Sequence, residues 1–379
     1  MTSHNSSKKI ALVLGGGGLK GFAHLGVLRA LAEHGIQPTV FAGTSIGALI
    51  AAAHASGMST DEMGERARAL RKRDLFRINH MGMLLERMGS RSIYLEEPLR
   101  ELVDSVVPEG TFADFQKPLL INTVDIEQGS QVVWGLTGLR NVSVRDSVYA
   151  SAALPGFFPP GKVGSRVCVD GGVIDNLPVG IASLGMDAII AVDTGSTSTI
   201  RHQDIGKYGF ATIYMRAAGT MMHALQLGPL TRWNGPPMIL IRPDLSDISW
   251  FSFAKADKLI ELGYAAAREA LSYFNECMQA SSGIFPVRDV RVTVIREKCI
   301  SCGTCVALAP ALMALDQSGI AYPKNPVVKW SPAHGDFVHH CPTCAIVAVR
   351  VDGETHTSPD SIEGEAKQSV KPEPLPGNT

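Results

Sequence analysis

Two short apolar runs near the start of the chain are each followed by a turn of small residues and then by a helical pattern. Lys9–Leu14 ends at four consecutive glycines, after which large apolar residues recur at helical spacing up to Gly35. Thr39–Ala42 is a second apolar run, and the alanine-rich segment Ile46–Ala55 follows it. This strand–helix–strand–helix order is typical of a parallel sheet. The sequence therefore predicts an α/β, doubly wound fold with a mainly parallel sheet and helices on both faces.

The same criteria predict further strands and helices downstream. The basic segment Arg66–Arg77 is predicted to be a cap or surface helix over the sheet. Together with the apolar Met81–Leu85 it is a candidate contact with anionic lipid, and a solvated basic helix is the alternative. The predicted strands are Leu119–Val124, Gln131–Trp134, Val167–Val169, Ala188–Val192 and Met238–Ile241, and the predicted helices are Val144–Ala152 and Lys255–Tyr273.

Composition divides the chain into four parts. Ser281–Pro286, a stretch of small residues and proline, is interpreted as the joint between two domains. The first domain spans residues 9–282, and the second, a compact module, spans residues 287–352. Residues 1–8 are predicted to be a flexible N-terminus. Residues 353–379 are rich in Pro, Glu, Ser, Lys and Gly and are predicted to be a disordered tail.

Charge and hydropathy exclude several classes of partner. The 35 Lys and Arg residues balance 36 Asp and Glu, so the net charge is −1 and no global basic field exists for nucleic acid. No apolar stretch approaches the roughly 18 residues of a membrane helix. Ile10–Leu14 is too short for the core of a signal peptide. These features predict a cytoplasmic protein without a nucleic-acid partner, with the inner face of the membrane as a candidate peripheral contact.

Gly15–Gly21 connects the first predicted strand to the first predicted helix, where bare backbone N–H groups and the helix N-terminus favour an anion. The spacing of Gly16, Gly18 and Gly21 matches the dinucleotide fingerprint, but the acid expected at the end of the second strand is missing from the sequence. A phosphate-binding P-loop is excluded because Lys20 precedes Gly21 instead of following it. An oxyanion hole formed by amides of the loop is the favoured interpretation.

The segment Gly43-Thr44-Ser45-Ile46-Gly47 supports an oxyanion hole. It has the G-x-S-x-G pattern of a nucleophile elbow and lies between a predicted strand and a predicted helix. Glycines flank the serine because larger side chains would clash around the strained turn that carries it. A plain tight turn is the alternative interpretation. We therefore predict that Ser45 is a nucleophile.

The base that activates Ser45 is predicted to be Asp170, at the end of a predicted strand. A free aspartate has a pKa of about 3.9, so a dry pocket has to raise it before the carboxylate can serve as a base. A plain turn at Asp170-Gly171-Gly172 is the alternative. His54 and His223 are the candidate bases of a conventional triad, although histidines in such positions are more often structural or exposed.

Four motifs follow one another in order along the chain: GGGGLKGFAHLGVL at 15–28, GTSIGA at 43–48, ASAALPGFFPP at 150–160 and DGGVIDNLP at 170–178. Over about residues 9–280 the chain resembles the patatin-like phospholipase family, which implies hydrolysis of lipid esters by a Ser–Asp dyad without histidine or cofactor. Lipid transacylation is the alternative reaction. The resemblance implies Ser45 as nucleophile, Asp170 as base, the Gly16, Gly17 and Gly18 backbone as oxyanion hole, and supporting roles for Lys20, Gly21, Gly43, Gly47, Pro155, Gly171, Gly172 and Asn176.

Most of the seven cysteines are crowded into the last quarter of the chain. Cys299, Cys302 and Cys305 have C-x-x-C-x-x-C spacing, and Cys341 precedes a proline. An odd number of cysteines without a secretory signal argues against a disulfide framework and for a metal site. Over about residues 290–350 the module resembles a single-cluster 4Fe–4S ferredoxin, in which the fourth thiol of the bacterial run is missing. This resemblance implies one 4Fe–4S cluster on those four cysteines, with Cys344 as the alternative fourth ligand and zinc as the alternative metal.

The two halves of the chain lead to two hypotheses about function. The favoured one is a lipid acyl hydrolase whose iron–sulfur module tunes activity or docks a redox partner. The alternative is an electron-transfer or redox-sensing protein whose first domain only binds lipid. Both catalytic motifs are intact in the sequence, which favours the hydrolase.

Overall fold

The computed structural model describes residues 8–79, 92–195, 210–245, 248, 253–334 and 337–351. Residues 1–7, Met81–Leu85 and the predicted tail 353–379 lie outside these ranges. The described strands are β1 (Ile10–Leu14), β2 (Val40–Gly43), β3 (Leu119–Asp125), β4 (Ser130–Trp134), β5 (Gly161–Val163), β6 (Arg166–Asp170), β7 (Ala188–Val192), β8 (Met238–Ile241), β9 (Ile284–Phe285), β10 (Arg288–Val294), β11 (Met313–Leu315), β12 (Ala321–Pro323), β13 (Val327–Trp330) and β14 (Ile346–Arg350). The described α-helices are α1 (Ala23–Glu33), α2 (Ile46–Ala55), α3 (Thr60–Ala69), α4 (Lys72–Leu75), α5 (Glu97–Val106), α6 (Val144–Ala152), α7 (Val179–Ala182), α8 (Phe210–Thr231), α9 (Ala256–Leu271), α10 (Phe274–Gln279) and α11 (Thr304–Leu308).

Nine strands of the described chain form one mixed sheet. β1 lies inside it and pairs in parallel with β2 on one side and β7 on the other. β3 continues the parallel sheet beyond β2, and β8 and β9 continue it beyond β7. β4, β5 and β6 are antiparallel additions at the β3 end. The predicted mainly parallel sheet is confirmed, and the strand order reverses at β1, where α/β sheets bind their ligands.

The two faces of the sheet are covered by different helices. Ile10, Leu12 and Leu14 of β1 are buried in a core shared with α1, α2 and α9. The alternate residues Ala11 and Val13 are buried in a second cluster with α7 and the end of α8. A strand that is buried on both faces has no polar side, which is why β1 is a continuous apolar run in the sequence. None of the helices within the described ranges has the length and apolar character needed to cross a bilayer.

The prediction of one surface helix over Arg66–Arg77 is wrong, because the segment is divided between α3 and α4. Between these helices the backbone of Leu70 is extended, and the Leu70 side chain lines an internal cavity. The amide of Arg71 donates a 2.9 Å hydrogen bond to the carboxylate of Asp74, which caps the second helix. The extended backbone of Leu70 thus ends α3, and this cap starts α4.

The segment Ser281–Pro286, predicted to be a joint, contains the last strand of the main sheet. In β9, Ile284 and Phe285 pair in parallel with β8 and are both buried. The chain therefore leaves the main sheet only after Phe285. This strand was not predicted because two residues are too few to show a hydrophobic period.

The residues that follow β9 form a small α+β unit. β10 pairs antiparallel with both β13 and β14, and β11 pairs with β12. The unit has its own apolar core, which includes Met313 and Phe337. Glu269 of α9 ties this unit to the main sheet, because its carboxylate accepts hydrogen bonds from Arg288 at 2.9 Å and Arg350 at 2.7 Å.

Candidate active site

Ser45 lies on a strained turn between β2 and α2. Its backbone has φ 57° and ψ −126°, a conformation that side chains of L-residues disfavour. A Cβ atom at Gly47 would lie 2.1 Å from the carbonyl oxygen of Leu14, and one at Gly43 would lie 2.4 Å from the carbonyl oxygen of Gly47. Both glycines of the G-x-S-x-G pattern are therefore required by the close approach of β1, β2 and α2.

The strained backbone of Ser45 is held by a buried relay of hydrogen bonds. Its amide donates to Ser151 Oγ at 2.9 Å, and Ser151 Oγ donates to the carbonyl oxygen of Asn122 at 2.6 Å. Ser151 lies on α6 and is fully buried. Ser151 had no predicted role, because in the sequence it is only a small polar residue inside the 150–160 motif.

Strand pairing explains why Asp170 meets Ser45. Ile121 of β3 pairs with Gly43 of β2, and Thr123, two residues further along β3, pairs with Asp170. Both β3 residues also pair with β4 on the opposite edge, so β2 and β6 occupy the same edge of β3 and face each other end to end. Ser45 follows Gly43 by two residues and thus reaches the level of Asp170. The acid comes from an antiparallel strand and not from a further parallel one.

Asp170 is buried beside the serine. Its exposed fraction is 3%, its Oδ1 accepts a 2.8 Å hydrogen bond from the Gly172 amide, and hydrogen bonding from the Ser45 hydroxyl acts with that bond to lower its pKa. Burial raises the pKa of Asp170 to about 6, against the opposing effect of these two hydrogen bonds. Gly171 is required here because a Cβ atom would lie 2.5 Å from Asn122 Nδ2. The carboxylate is ionised at neutral pH and is a stronger base than an exposed aspartate.

The glycine loop after β1 leaves two amides for an anion. The Gly15 amide donates to the Val192 carbonyl at 2.9 Å, and the Gly16 amide donates to the Asn176 carbonyl at 3.3 Å. The amides of Gly17 and Gly18 have no hydrogen-bond partner among the described residues, and both glycines line the cavity that contains Ser45. Three glycines were predicted to form an oxyanion hole. The amide of Gly16 is already hydrogen-bonded, so the amides of Gly17 and Gly18 are the ones that can bind an oxyanion.

Two buried side chains hold the glycine loop from behind. Asn176 Nδ2 donates to the Gly16 carbonyl at 3.0 Å, and His24 Nε2 donates to the Gly15 carbonyl at 2.8 Å. Burial lowers the pKa of His24 to about 4, so the ring is neutral at pH 7. His24 thus fixes the loop backbone and is not a base for Ser45.

The other predicted supporting residues lie around this centre. Lys20 is buried in the turn between the glycine loop and α1, where desolvation lowers its pKa to about 8 against the opposing charge of Asp244. A Cβ atom at Gly21 would lie 2.2 Å from the Ile46 side chain, and one at Gly172 would lie 2.6 Å from Met222 Cε. These two glycines permit close packing beside the nucleophile and the acid.

Pro155 follows α6 in a turn that shapes the cavity wall. The amides of Phe157 and Phe158 donate to the Leu154 carbonyl at 3.0 and 3.1 Å, with Pro155 at the position that favours such a turn. Leu154, Phe157 and Phe158 all line the cavity beside Ser45. Pro155 therefore acts through the apolar residues that it directs inward.

Neither candidate triad histidine lies with Ser45. His54 is on the other side of α2, where its ring contacts Phe41 at 5.3 Å between centroids, and burial lowers its pKa. His54 and His223 are not among the residues that line the cavity around Ser45. The structure therefore brings neither histidine into the lining beside Ser45, and the acid that lines the cavity with Ser45 is Asp170.

A cavity of about 150 Å³ extends from Ser45 into the apolar core. Its polar end is formed by Gly16, Gly17, Gly18, Ser45, Asp170 and Asn176. The charged residue Arg66 also lines the wall, but its guanidinium is occupied by the Ser105 carbonyl at 2.9 Å and by Glu62 at 2.8 Å. The rest of the lining is apolar: Leu19, Phe22, Leu25, Ile46, Leu49, Ile50, Ala53, Met63, Ala67, Leu70, Leu75, Phe76, Leu99, Leu102, Val103, Val106, Ala152, Leu154, Phe157, Phe158 and Met222.

A second, smaller cavity lies in the α+β unit and is lined by Cys299, Cys302, Cys305 and Cys341. The Ala345 amide donates to Cys341 Sγ at 3.2 Å, and Cys344 is not among the lining residues. No group of three or more His, Cys, Asp or Glu within the described ranges is arranged to hold a metal ion. The four predicted ligands thus share one cavity without converging on a single point.

The elbow serine, its buried acid partner and the apolar cavity are the arrangement expected of an α/β serine acyl hydrolase. Comparison with known families makes the class more specific. Residues 12–183 match the family model of the patatin-like phospholipases, so this segment is similar to that family. The matched segment contains Ser45, Asp170 and all of the glycine loop.

Three relatives indicate the range of similarity. An uncharacterized NTE family protein of Mycobacterium tuberculosis is 33% identical over 189 residues, which is 50% of this chain and 49% of that protein. Patatin-like phospholipase domain-containing protein 6 of Homo sapiens is 33% identical over 208 residues, 53% of this chain and 14% of that protein. Lysophospholipase NTE1 of Debaryomyces hansenii is 28% identical over 295 residues, 72% of this chain and 18% of that protein. The chain spans about half the length of the first of these relatives and much less of the other two.

Proposed function

We propose that this protein is a lipid ester hydrolase of the phospholipase or lysophospholipase type, with Ser45 as nucleophile and Asp170 as general base. The observation that carries the proposal is that Ser45 and the buried Asp170 lie together at the polar end of an apolar cavity. A relative that matches 72% of this chain is named a lysophospholipase, which agrees with that substrate class.

The reaction starts when Asp170 accepts the hydroxyl proton of Ser45 and Ser45 Oγ attacks the ester carbonyl carbon. The carbonyl oxygen becomes an oxyanion, which the amides of Gly17 and Gly18 bind. Each such donor is typically worth about 3 kcal/mol in the transition state. The ester C–O bond then breaks, and the proton on Asp170 passes to the leaving alcohol. Water, activated by the same carboxylate, hydrolyses the acyl-enzyme and restores Ser45.

The substrate class follows from the shape of the cavity. Its polar end matches one ester group, and its apolar wall excludes charged groups from the space behind Ser45. An acyl chain is therefore the part of the substrate that enters, while the head group stays outside. Burial of an alkyl chain is worth about 0.8 kcal/mol per methylene, so chain length is expected to control affinity.

Hydrolysis of lysophospholipids and of p-nitrophenyl esters by the wild type and by Ser45→Ala and Asp170→Asn tests this proposal. We expect both variants to lose turnover while they retain the wild-type circular dichroism and a melting temperature no lower than that of the wild type. Ser45 lies at the start of α2 and Ser56 at its end, so Ser56→Ala is a matched control, which should keep full activity. Turnover retained by Ser45→Ala would refute the assignment. Analysis of products in the presence of an acceptor alcohol separates hydrolysis from transacylation.

We further propose that the α+β unit binds one 4Fe–4S cluster through Cys299, Cys302, Cys305 and Cys341. The support is that these four thiols line one cavity and that the Ala345 amide donates to Cys341 Sγ, as amides commonly do to cluster sulfurs. When bound, such a cluster supplies a one-electron redox centre, which suits a redox partner or a regulatory role. Cys344 lies outside the lining, so Cys341 is the preferred fourth ligand.

Metal analysis of anaerobically purified protein tests the cluster. We expect iron and acid-labile sulfide with visible absorption in the wild type and in Cys344→Ser, and their loss in Cys341→Ser. Stoichiometric zinc would refute the cluster. Ester hydrolysis by Cys302→Ala then tests regulation, because equal activity with and without the cluster would exclude control of the hydrolase.

A further inference from the structure

α8 exposes an apolar side to solvent. Ile213, Met221 and Leu225 have exposed fractions of 43%, 58% and 51%. With the exposed Ala217 they recur every four residues, so they lie along one face of the helix. Thr220 and Ala224 are exposed between them and add no charge to this face.

This distribution is the reverse of what a surface helix normally has. In an ordinary surface helix the charged residues face water and the apolar stripe faces the core. α8 contains no Asp, Glu or Lys, and its one arginine, Arg216, is half-buried. Gln226 and Leu230 are buried on its inner side. A contiguous exposed apolar face of this kind is typical of an interaction surface.

The apolar face adjoins the candidate active site. Met222, the neighbour of Met221 in the chain, lines the cavity that contains Ser45 and Asp170. α8 therefore contributes Met222 to the wall of the acyl cavity and presents the adjacent Met221 to solvent. An apolar surface that continues into a lipid cavity fits a partner from which a lipid molecule can move into that cavity.

We propose that the face of α8 formed by Ile213, Ala217, Met221 and Leu225 docks onto a lipid surface and so delivers the substrate to Ser45. This inference rests on the proposed lipid ester hydrolase and specifies where that enzyme meets its substrate. A helix with an apolar side of this kind inserts about 5–10 Å into the boundary between head groups and acyl chains. A second copy of the chain on the same face would instead cover the wall through which the lipid enters.

The proposal moves the membrane contact away from the basic segment Arg66–Arg77. Because the α8 face carries no charge, its binding is expected to need no anionic lipid and to persist at high salt, where charge attraction is screened. Contact through the basic segment would require anionic lipid and would weaken as salt rises. The two surfaces are therefore distinguishable by lipid composition and ionic strength.

Sedimentation with vesicles of pure phosphatidylcholine tests the proposal, with the full chain carrying Ser45→Ala so that no lipid is consumed. The test variant is Met221→Gln/Leu225→Gln, because glutamine is a good helix former and keeps the side-chain size. We expect its vesicle partition coefficient to fall about 10- to 100-fold, since about half of two large apolar side chains would no longer be buried in lipid. Leu184→Gln, which changes a leucine with an exposed fraction of 67% after α7, is the matched control and should bind normally.

Several outcomes would overturn the proposal. One is a wild-type chain that does not bind phosphatidylcholine vesicles, and another is unchanged binding by Met221→Gln/Leu225→Gln. Loss of binding after charge reversal at Arg71, Lys72 and Arg73, with the α8 pair harmless, would assign the contact to the basic segment. Dissociation of a dimer by the α8 pair in analytical ultracentrifugation, without loss of vesicle binding, would assign the face to a second copy.

The catalytic proposal and the docking proposal fail separately. In the active background, Met221→Gln/Leu225→Gln should hydrolyse a soluble short-chain ester at the wild-type rate and vesicle lipid much more slowly. Vesicle binding without hydrolysis of any ester would refute the enzyme and leave the docking surface. Equal loss on soluble and vesicle substrates would refute docking, because it would show a defect inside the cavity.

Discussion

Replacement of Ala53 by leucine should shorten the acyl chain that the protein accepts. Ala53 lines the cavity, is 2% exposed and lies eight residues after Ser45, at about 1.5 Å per helical residue or roughly 12 Å along α2. An extended chain advances about 1.2 Å per bond, so an acyl chain of about ten carbons reaches Ala53. The three carbons that leucine adds would displace roughly three methylenes, worth about 2.4 kcal/mol or about 50-fold in kcat/KM for long chains.

A series of p-nitrophenyl esters of increasing acyl length measures this effect. We expect Ala53→Leu to hydrolyse chains of about six carbons or fewer within twofold of the wild type, because these do not reach the new side chain. Ala69→Leu, at an exposed position of α3, should leave the whole series unchanged. Equal loss at every length would indicate a general packing defect, and unchanged long-chain activity would show that the chain does not follow α2. Either result would refute the reasoning.

Four further predictions concern the site. Ser151→Ala removes the acceptor of the Ser45 amide, so kcat should fall about 10- to 100-fold and the free energy of unfolding should fall by about 1–3 kcal/mol. Ser151→Thr keeps a hydroxyl and should retain most activity. Normal turnover in Ser151→Ala would contradict the relay. Because burial raises the pKa of Asp170 to about 6, kcat/KM should rise with pH through one ionisation near pH 6, and a midpoint near pH 4 would contradict its role. The raised pKa also means that the charged carboxylate opposes folding above about pH 6 and not below about pH 4, so Asp170→Asn should raise the melting temperature at pH 8 and not at pH 4. Gly47→Ala should destabilise the protein by more than about 2 kcal/mol in denaturant titrations, because its Cβ would lie 2.1 Å from the Leu14 carbonyl, while Gly180→Ala, which has open space, should be neutral or stabilising.

The parts of the site that depend on local sequence were predictable. The bounds of α2 agree with the prediction, and Ser45 lies on the strained turn that the G-x-S-x-G pattern requires. The glycine loop also lies where the sequence places it, directly after β1. These features are fixed by residues within a few positions of each other, and so they leave a clear pattern.

The parts that depend on contacts between distant segments were not predictable. The sequence marks Asp170 at the end of a strand, but nothing near it indicates that β6 runs antiparallel along the edge of β3 that β2 also uses. The difference between the Gly16 amide and the amides of Gly17 and Gly18 depends on the carbonyl of Asn176, which is far away in the chain. The break at Leu70 depends on a cavity that α5 helps to enclose. Tertiary packing decides each of these.

The shared edge of β3 also makes turnover a strict check on correct assembly. A strand that slipped by one residue along this edge would move its end by about 3.3 Å and turn its side chains to the opposite face. The hydroxyl and the carboxylate would then be too far apart to exchange a proton. A molecule with that error would be inactive and would not have an altered substrate specificity. Specific activity therefore measures the fraction of chains whose strands are paired in the native register.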